Sequence, residues 1–507
     1  METIAGLFFS NTEKYPNKLA IWCDGKEVTY QDLGIFVSKY ANYLLSHGVK
    51  RGEIIGIPMN NSIESVALIM AAATIGAGLA PINPTISTDQ IDTAFRAGKV
   101  KHIIARSAFF KQIKDKKMPY LTGCKLCLDQ KIDGIDSMHD IMNQLADRPS
   151  LKDIDGSETL ILTMTSGSTG TPKPIELTQE NKLQRAMAHV RLYGITENER
   201  VLAATPLYHS LAERLVILPL LIGATSILLP RFTPKIWMDC VEKQKVTFTI
   251  AVSAQLSQIA QIMSSPFAAD ISSMRSIVSS SALLEPHVRT ELIAKLKCDF
   301  NEMYGTSECS TVTSINFKEA VNYQNSVGKP IPEAMIKIIR DNGTEAETEE
   351  VGEITCKTKL LFNGYYGMPE MTKVSMTEDG YFKTGDLGKV DKEGYLYYCG
   401  RKKELIITGG INVYPQDVEK VVLDIPEVKE CAAFPFLDDR LGEIVALAVV
   451  TKEGETLAKR TIQMHCAKKL ADFQQPHRIF FLSELPKNAM GKLTKNKLPE
   501  IVAGMEG

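Results

Sequence analysis

Short apolar runs alternate with longer amphipathic stretches through the middle of the chain. Extended segments are expected over 201–205, 225–229, 246–251 and 276–279, with helices over 211–222, 236–244, 254–263 and 286–296 among them. The amino-terminal part repeats the alternation, with strands over 54–58 and 79–82 around a helix over 62–75. Short apolar strands between helical patterns argue for a parallel, doubly wound α/β sheet. The most apolar stretch, 215-LVILPLLIGATSILLP-230, carries Pro219 and Gly223 and falls short of the roughly 20 residues a membrane span needs. It reads as a buried helix turning into a strand, and no transmembrane segment is expected.

From Val327 onward the texture changes. Strands over 335–339, 352–357 and 395–399, joined by turn residues, predict a β-rich subdomain. Beyond Arg401-Lys402-Lys403 the pattern becomes helix 416–423, strands 428–434 and 444–450, and helix 461–470, a small α+β domain. The expected fold is therefore α/β: a large N-terminal region of doubly wound subdomains with a β-rich subdomain over 1–400, then a small α+β domain over 401–507.

Composition narrows the class of protein. A chain of 507 residues, 44% hydrophobic and 23% charged, is globular and too long for one ordinary core. Its net charge of −2 gives no electrostatic reason to expect nucleic acid or an anionic membrane as partner. Ten cysteines are dispersed from Cys23 to Cys466, and the pair Cys124 and Cys127 lacks a second pair or a nearby histidine to complete a zinc site. They read as reduced thiols of a cytoplasmic protein, and the first residues lack the basic start and apolar core of a signal peptide.

One loop stands out chemically. In 165-TSGSTGTPKP-174, glycines and hydroxyl residues leave backbone N–H groups available to phosphate oxygens. It is not a P-loop: Lys173 follows Pro172, and Pro174 occupies the position of the magnesium-binding Ser/Thr. Taken alone, such a cluster is a surface linker.

It is not alone. The segments 206-PLYHS-210, 304-YGTSE-308, 326-SVGKP-330, 381-YFKTGDL-387, 400-GRKKELIITGGINVYP-415 and 486-PKNAMGKL-493 follow in order. Together they resemble the adenylate-forming superfamily of acyl-CoA synthetases, luciferases and nonribosomal adenylation domains, over about 30–498. The chemistry of that family explains the residue types. A carboxylate is a poor acyl donor because its oxygen leaves badly; attack on the α-phosphate of ATP makes an acyl adenylate, from which a thiol displaces AMP. Positioning and charge stabilisation carry most of such a reaction.

The resemblance implies ATP, Mg²⁺ and coenzyme A. It assigns Thr165, Ser166, Ser168, Thr169 and Lys173 to the triphosphate, Tyr304 to adenine, Ser307 to the α-phosphate and Glu308 to Mg²⁺. Asp386 accepts the ribose hydroxyls, Arg401 stands near ribose and phosphate, and His209 lies beside the acid. Lys492 grips the carboxylate and α-phosphate oxygens during adenylation. Lys403 matches a hinge about which a mobile C-terminal domain rotates, bringing Gly409 and Gly410 in to leave room for a pantetheine arm. Ser168 departs mildly from the commoner threonine, and Pro174 replaces a usual glycine.

The substrates implied are a small carboxylic acid, ATP and CoA. The runner-up acceptor is a carrier-protein phosphopantetheine; a non-catalytic nucleotide-binding regulator is a third reading, opposed by Lys492, Glu308 and Asp386. The oligomeric state stays open, a homodimer included. Two departures bear on the acid. Ser280-Ser281-Ala282-Leu283-Leu284 replaces a Gly-Gly-Ala-Pro-Leu stretch, which should narrow and polarise that wall. Glu213 and Arg214 stand on a usually apolar helix; either they pair with each other or face solvent, or they select a small polar or charged acid.

Overall fold

The computed structural model describes residues 2–147, 154–165, 172–265, 268–438, 440–487 and 493–505. The chain forms two compact units. One comprises Met1–Asn322, Pro330–Met335 and Lys357–Gly380; the other Tyr323–Lys329, Ile336–Cys356 and Tyr381–Gly507. The second unit thus takes in β-rich strands as well as the C-terminal segment, and Lys403 lies within it.

The first unit holds two sheets of the expected doubly wound kind. In one, parallel strands run in the order Asp299–Tyr304, Ser276–Ser280, Phe248–Val252, Arg200–Ala203, Thr225–Leu228 and Leu19–Cys23. In the other, Thr159–Thr165, Gly78–Ile82, Ile54–Pro58 and His102–Ala105 are parallel neighbours. Helix Ile63–Ile75 is buried at every residue from Ser65 onward. Its sequence, apolar all round, suits a helix with no solvent face. The stretch 215–230 becomes helix Ser210–Ile222 followed by strand Thr225–Leu228. Gly223 ends the helix in a left-handed conformation, φ 78°, which glycine adopts without strain.

Buried Asn61 ties the strand ends on which a site can be built. Its amide nitrogen donates to the carbonyls of Thr205 at 2.9 Å and Leu229 at 2.8 Å. Its amide oxygen accepts from the Leu207 N–H at 2.8 Å. One side chain therefore fixes the start of the PLYHS segment against two neighbouring strand ends.

In the second unit, strand Phe382–Val390 pairs antiparallel with Gly352–Thr358 and with Leu396–Arg401. Farther along, Val428–Asp438 pairs antiparallel with Gly442–Thr451, to which Arg478–Phe481 adds in parallel. Val418 and Val422 of helix Pro415–Leu423 and Ile462 of helix Lys459–Ala467 pack with Val445, Leu447 and Ile479 in one apolar core. No disulfide joins the described cysteines. Among the described residues, no helix is long and apolar enough to cross a membrane.

Candidate active site

Strand Thr159–Thr165 pairs antiparallel with Lys173–Thr178, the last pair being Thr165 with Lys173. The 165–174 segment is therefore a hairpin connection whose ends are fixed by a β ladder. Ser166, Ser168 and Thr169 lie outside the described residues, Thr165 is described only in its backbone, and Lys173 is half-buried. Pro174 sits within the second strand, opposite Met164, and its carbonyl accepts from the Tyr366 N–H at 2.9 Å. The fixed φ of proline therefore falls within the strand and not in the loop.

That strand leads directly into helix Gln179–Leu192. Thr178 and Asn181 cap it reciprocally, each side chain accepting from the other's backbone N–H at 3.1 Å. Lys182, Arg185 and His189 then fall at i, i+3 and i+7, on one helix face, and all three are buried.

Arg185 organises the 304–308 loop, a role the sequence reading missed. Its Nε donates to the Leu360 carbonyl at 2.8 Å, Nη1 to that of Ser307 at 3.0 Å and Nη2 to that of Glu308 at 2.6 Å. Burial, aided by nearby Arg214, pulls the guanidinium down to about 9, which leaves it charged at neutral pH. The loop begins at buried Tyr304, the last residue of strand Asp299–Tyr304. At Gly305 a side-chain carbon would stand 1.6 Å from the Ser310 carbonyl oxygen, so no other residue fits. Half-buried Glu308 accepts from the Tyr365 hydroxyl at 3.0 Å through Oε1. Its Oε2 takes no hydrogen bond among the described residues. Replacing Arg185 by methionine should strand three carbonyls and cost roughly 2–4 kcal/mol. Urea unfolding would read the loss, and an unchanged midpoint would remove Arg185 as the clamp.

His209 immediately precedes helix Ser210–Ile222, with its ring 4.6 Å from that of Tyr208. Its Nε2 is buried and has no hydrogen-bond partner among the described residues. Burial lowers its pKa to about 4, so the imidazole is neutral.

Glu213 and Arg214 neither face solvent nor bond to each other, and both alternatives of the bland expectation are corrected. Both are buried, Glu213 completely. Consecutive helical residues point about 100° apart, so i and i+1 do not face each other. Glu213 instead accepts from Lys182 Nζ at 2.6 Å. Burial lowers the Lys182 pKa and the Glu213 charge opposes that shift. Arg214 turns toward His189, its Nη1 lying 3.1 Å from the ring Nε2. His189 also meets the Thr311 hydroxyl at 2.8 Å, and burial holds its pKa well below the usual value.

Strand Ser276–Ser280 ends at the two serines that stand where glycines were expected. Ser281 has φ 78°, a left-handed conformation, and is exposed together with Ala282 and Leu283. Only glycine holds that backbone without cost. Ser281→Gly should raise stability by about 1 kcal/mol, seen as a higher denaturant midpoint; a lower midpoint would contradict the strain.

In the second unit, Asp386 stands opposite Arg401 across the strand pair, with Arg401 Nε 3.6 Å from Asp386 Oδ1. The two residues expected at the ribose are therefore neighbours, and Asp386 is buried. Lys402 binds Asp341 at 2.9 Å and Glu353 at 3.1 Å, while Lys403 is exposed in the adjoining 3₁₀ turn Lys402–Glu404. Gly409 and Gly410, at φ 55° and 84°, form the two-residue turn between strands Ile406–Thr408 and Ile411–Val413. Positive φ at both positions is what a type I′ hairpin turn requires. Lys492 lies outside the described residues.

The sequence model of the AMP-binding enzymes matches residues 8–366, and that of the AMP-binding enzyme C-terminal domain matches 417–492. Indoleacetate–CoA ligase of Aromatoleum aromaticum is 29% identical, over 96% of this chain and 96% of its own. ATP-bound MatB from Rhodopseudomonas palustris superposes with a TM-score of 0.88 at 26% identity, covering 99% of each chain. The o-succinylbenzoate CoA synthetase MenE from Bacillus subtilis, in complex with its acyl-adenylate intermediate, gives 0.86 at 26% identity over 97% of each.

Proposed function

We propose, for a chain that belongs to the AMP-binding enzyme family in its acyl-CoA synthetase branch, that it is an AMP-forming acid–CoA ligase. The reaction joins a carboxylic acid and ATP into an acyl adenylate with release of pyrophosphate, and CoA then takes the acyl group and releases AMP. The observation that carries this reading is the loop at Glu308: clamped from behind by Arg185, held by Tyr365, and with one carboxylate oxygen left over.

A hard cation takes oxygen ligands, and Mg²⁺ characteristically combines one or two carboxylates with phosphates and water. Glu308 Oε2 fits that role, and Mg²⁺ bound there would neutralise charge on the transferring phosphate. In this reading Tyr304 stacks on adenine, while Asp386 and Arg401 hold the ribose. Thr165, Ser166, Ser168, Thr169 and Lys173 cradle the triphosphate, and Ser307 lies at the α-phosphate. Lys492 supplies positive charge where carboxylate and α-phosphate meet. Neutral His209 offers its unpartnered nitrogen to the acid or adenylate. The segment after Lys403 changes position between the two steps, and the Gly409–Gly410 turn then serves the pantetheine arm.

CoA is favoured over a carrier protein because the relatives are named as CoA ligases. Their names differ in the acid, indoleacetate in one and o-succinylbenzoate in the other. Cysteines without disulfides fit a cytoplasmic setting. The test is ATP–pyrophosphate exchange over a panel of acids. Exchange should require both acid and Mg²⁺, and Glu308→Gln should weaken the Mg²⁺-dependent exchange while leaving the fold intact. ADP and orthophosphate as sole products would contradict the proposal.

A further inference from the structure

Around Arg214 the charges do not balance. Lys182, Arg185 and Arg214 are all at most 7% exposed, and Glu213 is the single fully buried carboxylate beside them. Lys182 uses Glu213, and Arg185 uses three backbone carbonyls. Among the described residues Arg214 hydrogen-bonds only His189, its Nε and Nη2 making none, and it shares the Glu213 charge with Lys182. A guanidinium nine-tenths buried with donors unspent is costly unless an anion arrives. His189 cannot be that anion: its ring is neutral, and it also meets Thr311.

The position of this cation gives the deficit a meaning. Arg214 stands five residues beyond His209, in the helix that His209 precedes. Through His189 it reaches Thr311, three residues past Glu308 and therefore on the chain that leaves the 304–308 loop. It is thus near in sequence to the histidine expected beside the acid and linked through His189 to the chain that leaves the loop expected at the phosphate.

We infer that Arg214 is the specificity-determining residue for the acid, and that this acid carries a second carboxylate. The inference rests on the ligase reading and deepens it. The reacting carboxylate loses its charge once it becomes an acyl phosphate ester, so it cannot neutralise Arg214 through the reaction. A second carboxylate keeps its charge in acid, adenylate and thioester alike. Its two oxygens match the paired N–H groups that a guanidinium presents. A long alkyl chain would leave the same donors buried and unpaired, and a site built to hydrogen-bond a group discriminates strongly against molecules lacking it.

The experiment uses the full-length protein and pairs of acids equal in length: succinate with butyrate, glutarate with pentanoate, phthalate with 2-methylbenzoate. In ATP–pyrophosphate exchange, kcat/KM for the preferred dicarboxylate should exceed that for its partner by about tenfold or more. Arg214→Met should collapse this ratio toward unity, and Arg214→Lys should retain part of it. Equal or better use of the monocarboxylates by the unaltered protein overturns the inference, whether or not the variants fold. A ratio unchanged in a folded Arg214→Met protein also overturns it. Absence of exchange with every acid would instead sink the ligase reading, and thermal denaturation with each acid then decides on Arg214. A rise in Tm given only by dicarboxylates, and lost in Arg214→Lys or Arg214→Met, upholds the site; no selective rise overturns it.

Discussion

Lys492→Ala should abolish acyl-adenylate formation and leave thioester formation from a supplied acyl adenylate nearly intact. Adenylation gathers negative charge at the α-phosphate as the acid oxygen attacks and pyrophosphate leaves. A single ammonium at that point contributes only to this step, and losing one preorganised electrostatic group of this kind costs about a hundredfold or more in rate. Thiol attack on the adenylate develops its charge first on the acyl carbonyl oxygen, with AMP already a good leaving group, and is expected not to depend on the same side chain. The turn at Gly409–Gly410 should show the opposite dependence. Its backbone sits at φ 55° and 84°, so Gly409→Val is strained whatever space surrounds it, and it should slow the thioester step selectively. Lys403→Pro should do likewise by restricting the backbone change expected at a hinge. Running each half-reaction separately on each variant checks the set. Equal slowing of both steps by Lys492→Ala would end the idea that the two half-reactions use different arrangements of the C-terminal segment.

The second large effect concerns stability. Lys182 and Glu213 form an ion pair of 2.6 Å with side-chain exposures of 3% and 0%. Removing either partner leaves the other charge buried and uncompensated, a loss of roughly 3–5 kcal/mol. Replacing both by apolar residues of similar volume removes the two desolvation costs together, so the Lys182→Met/Glu213→Leu double variant should be close to the unaltered protein. Glu213→Leu alone should be the most destabilised, because Lys182 then joins Arg185 and Arg214 with no buried carboxylate among them. Denaturant unfolding of the four proteins measures the coupling. Single losses that simply add in the double variant would show that the two charges do not depend on each other.

What the sequence made legible was local, and what it hid was long-range. The strand at Ile54–Pro58 and the helix-to-strand passage across 215–230 follow from apolar spacing and one glycine, all within a few residues. The loops expected to carry phosphate and nucleotide chemistry were legible as ordered motifs, although Ser166, Ser168, Thr169 and Lys492 lie outside the described residues. Asn61, Lys182 and Arg185 carried no such signal. Asn61 meets Leu229 across 168 positions, and Arg185 meets Glu308 across 123. Nothing in the neighbourhood of an asparagine or arginine announces a partner so distant. The i, i+3, i+7 spacing of Lys182, Arg185 and His189 marked a shared face, but a polar face ordinarily reads as solvated. Glu213 and Arg214 were legible as unusual; of the readings left open, helix geometry disfavours the mutual pair and burial removes the solvent face.

One measurement bears most directly on the central claim. The protein is incubated with Mg²⁺, ATP, CoA and each acid of the panel, and the nucleotide and acyl products are quantified together. Acyl-CoA, AMP and pyrophosphate should appear in equal amounts, and only when acid is present. ADP with orthophosphate, or AMP and pyrophosphate released without any thioester while CoA is present, would contradict an AMP-forming acid–CoA ligase.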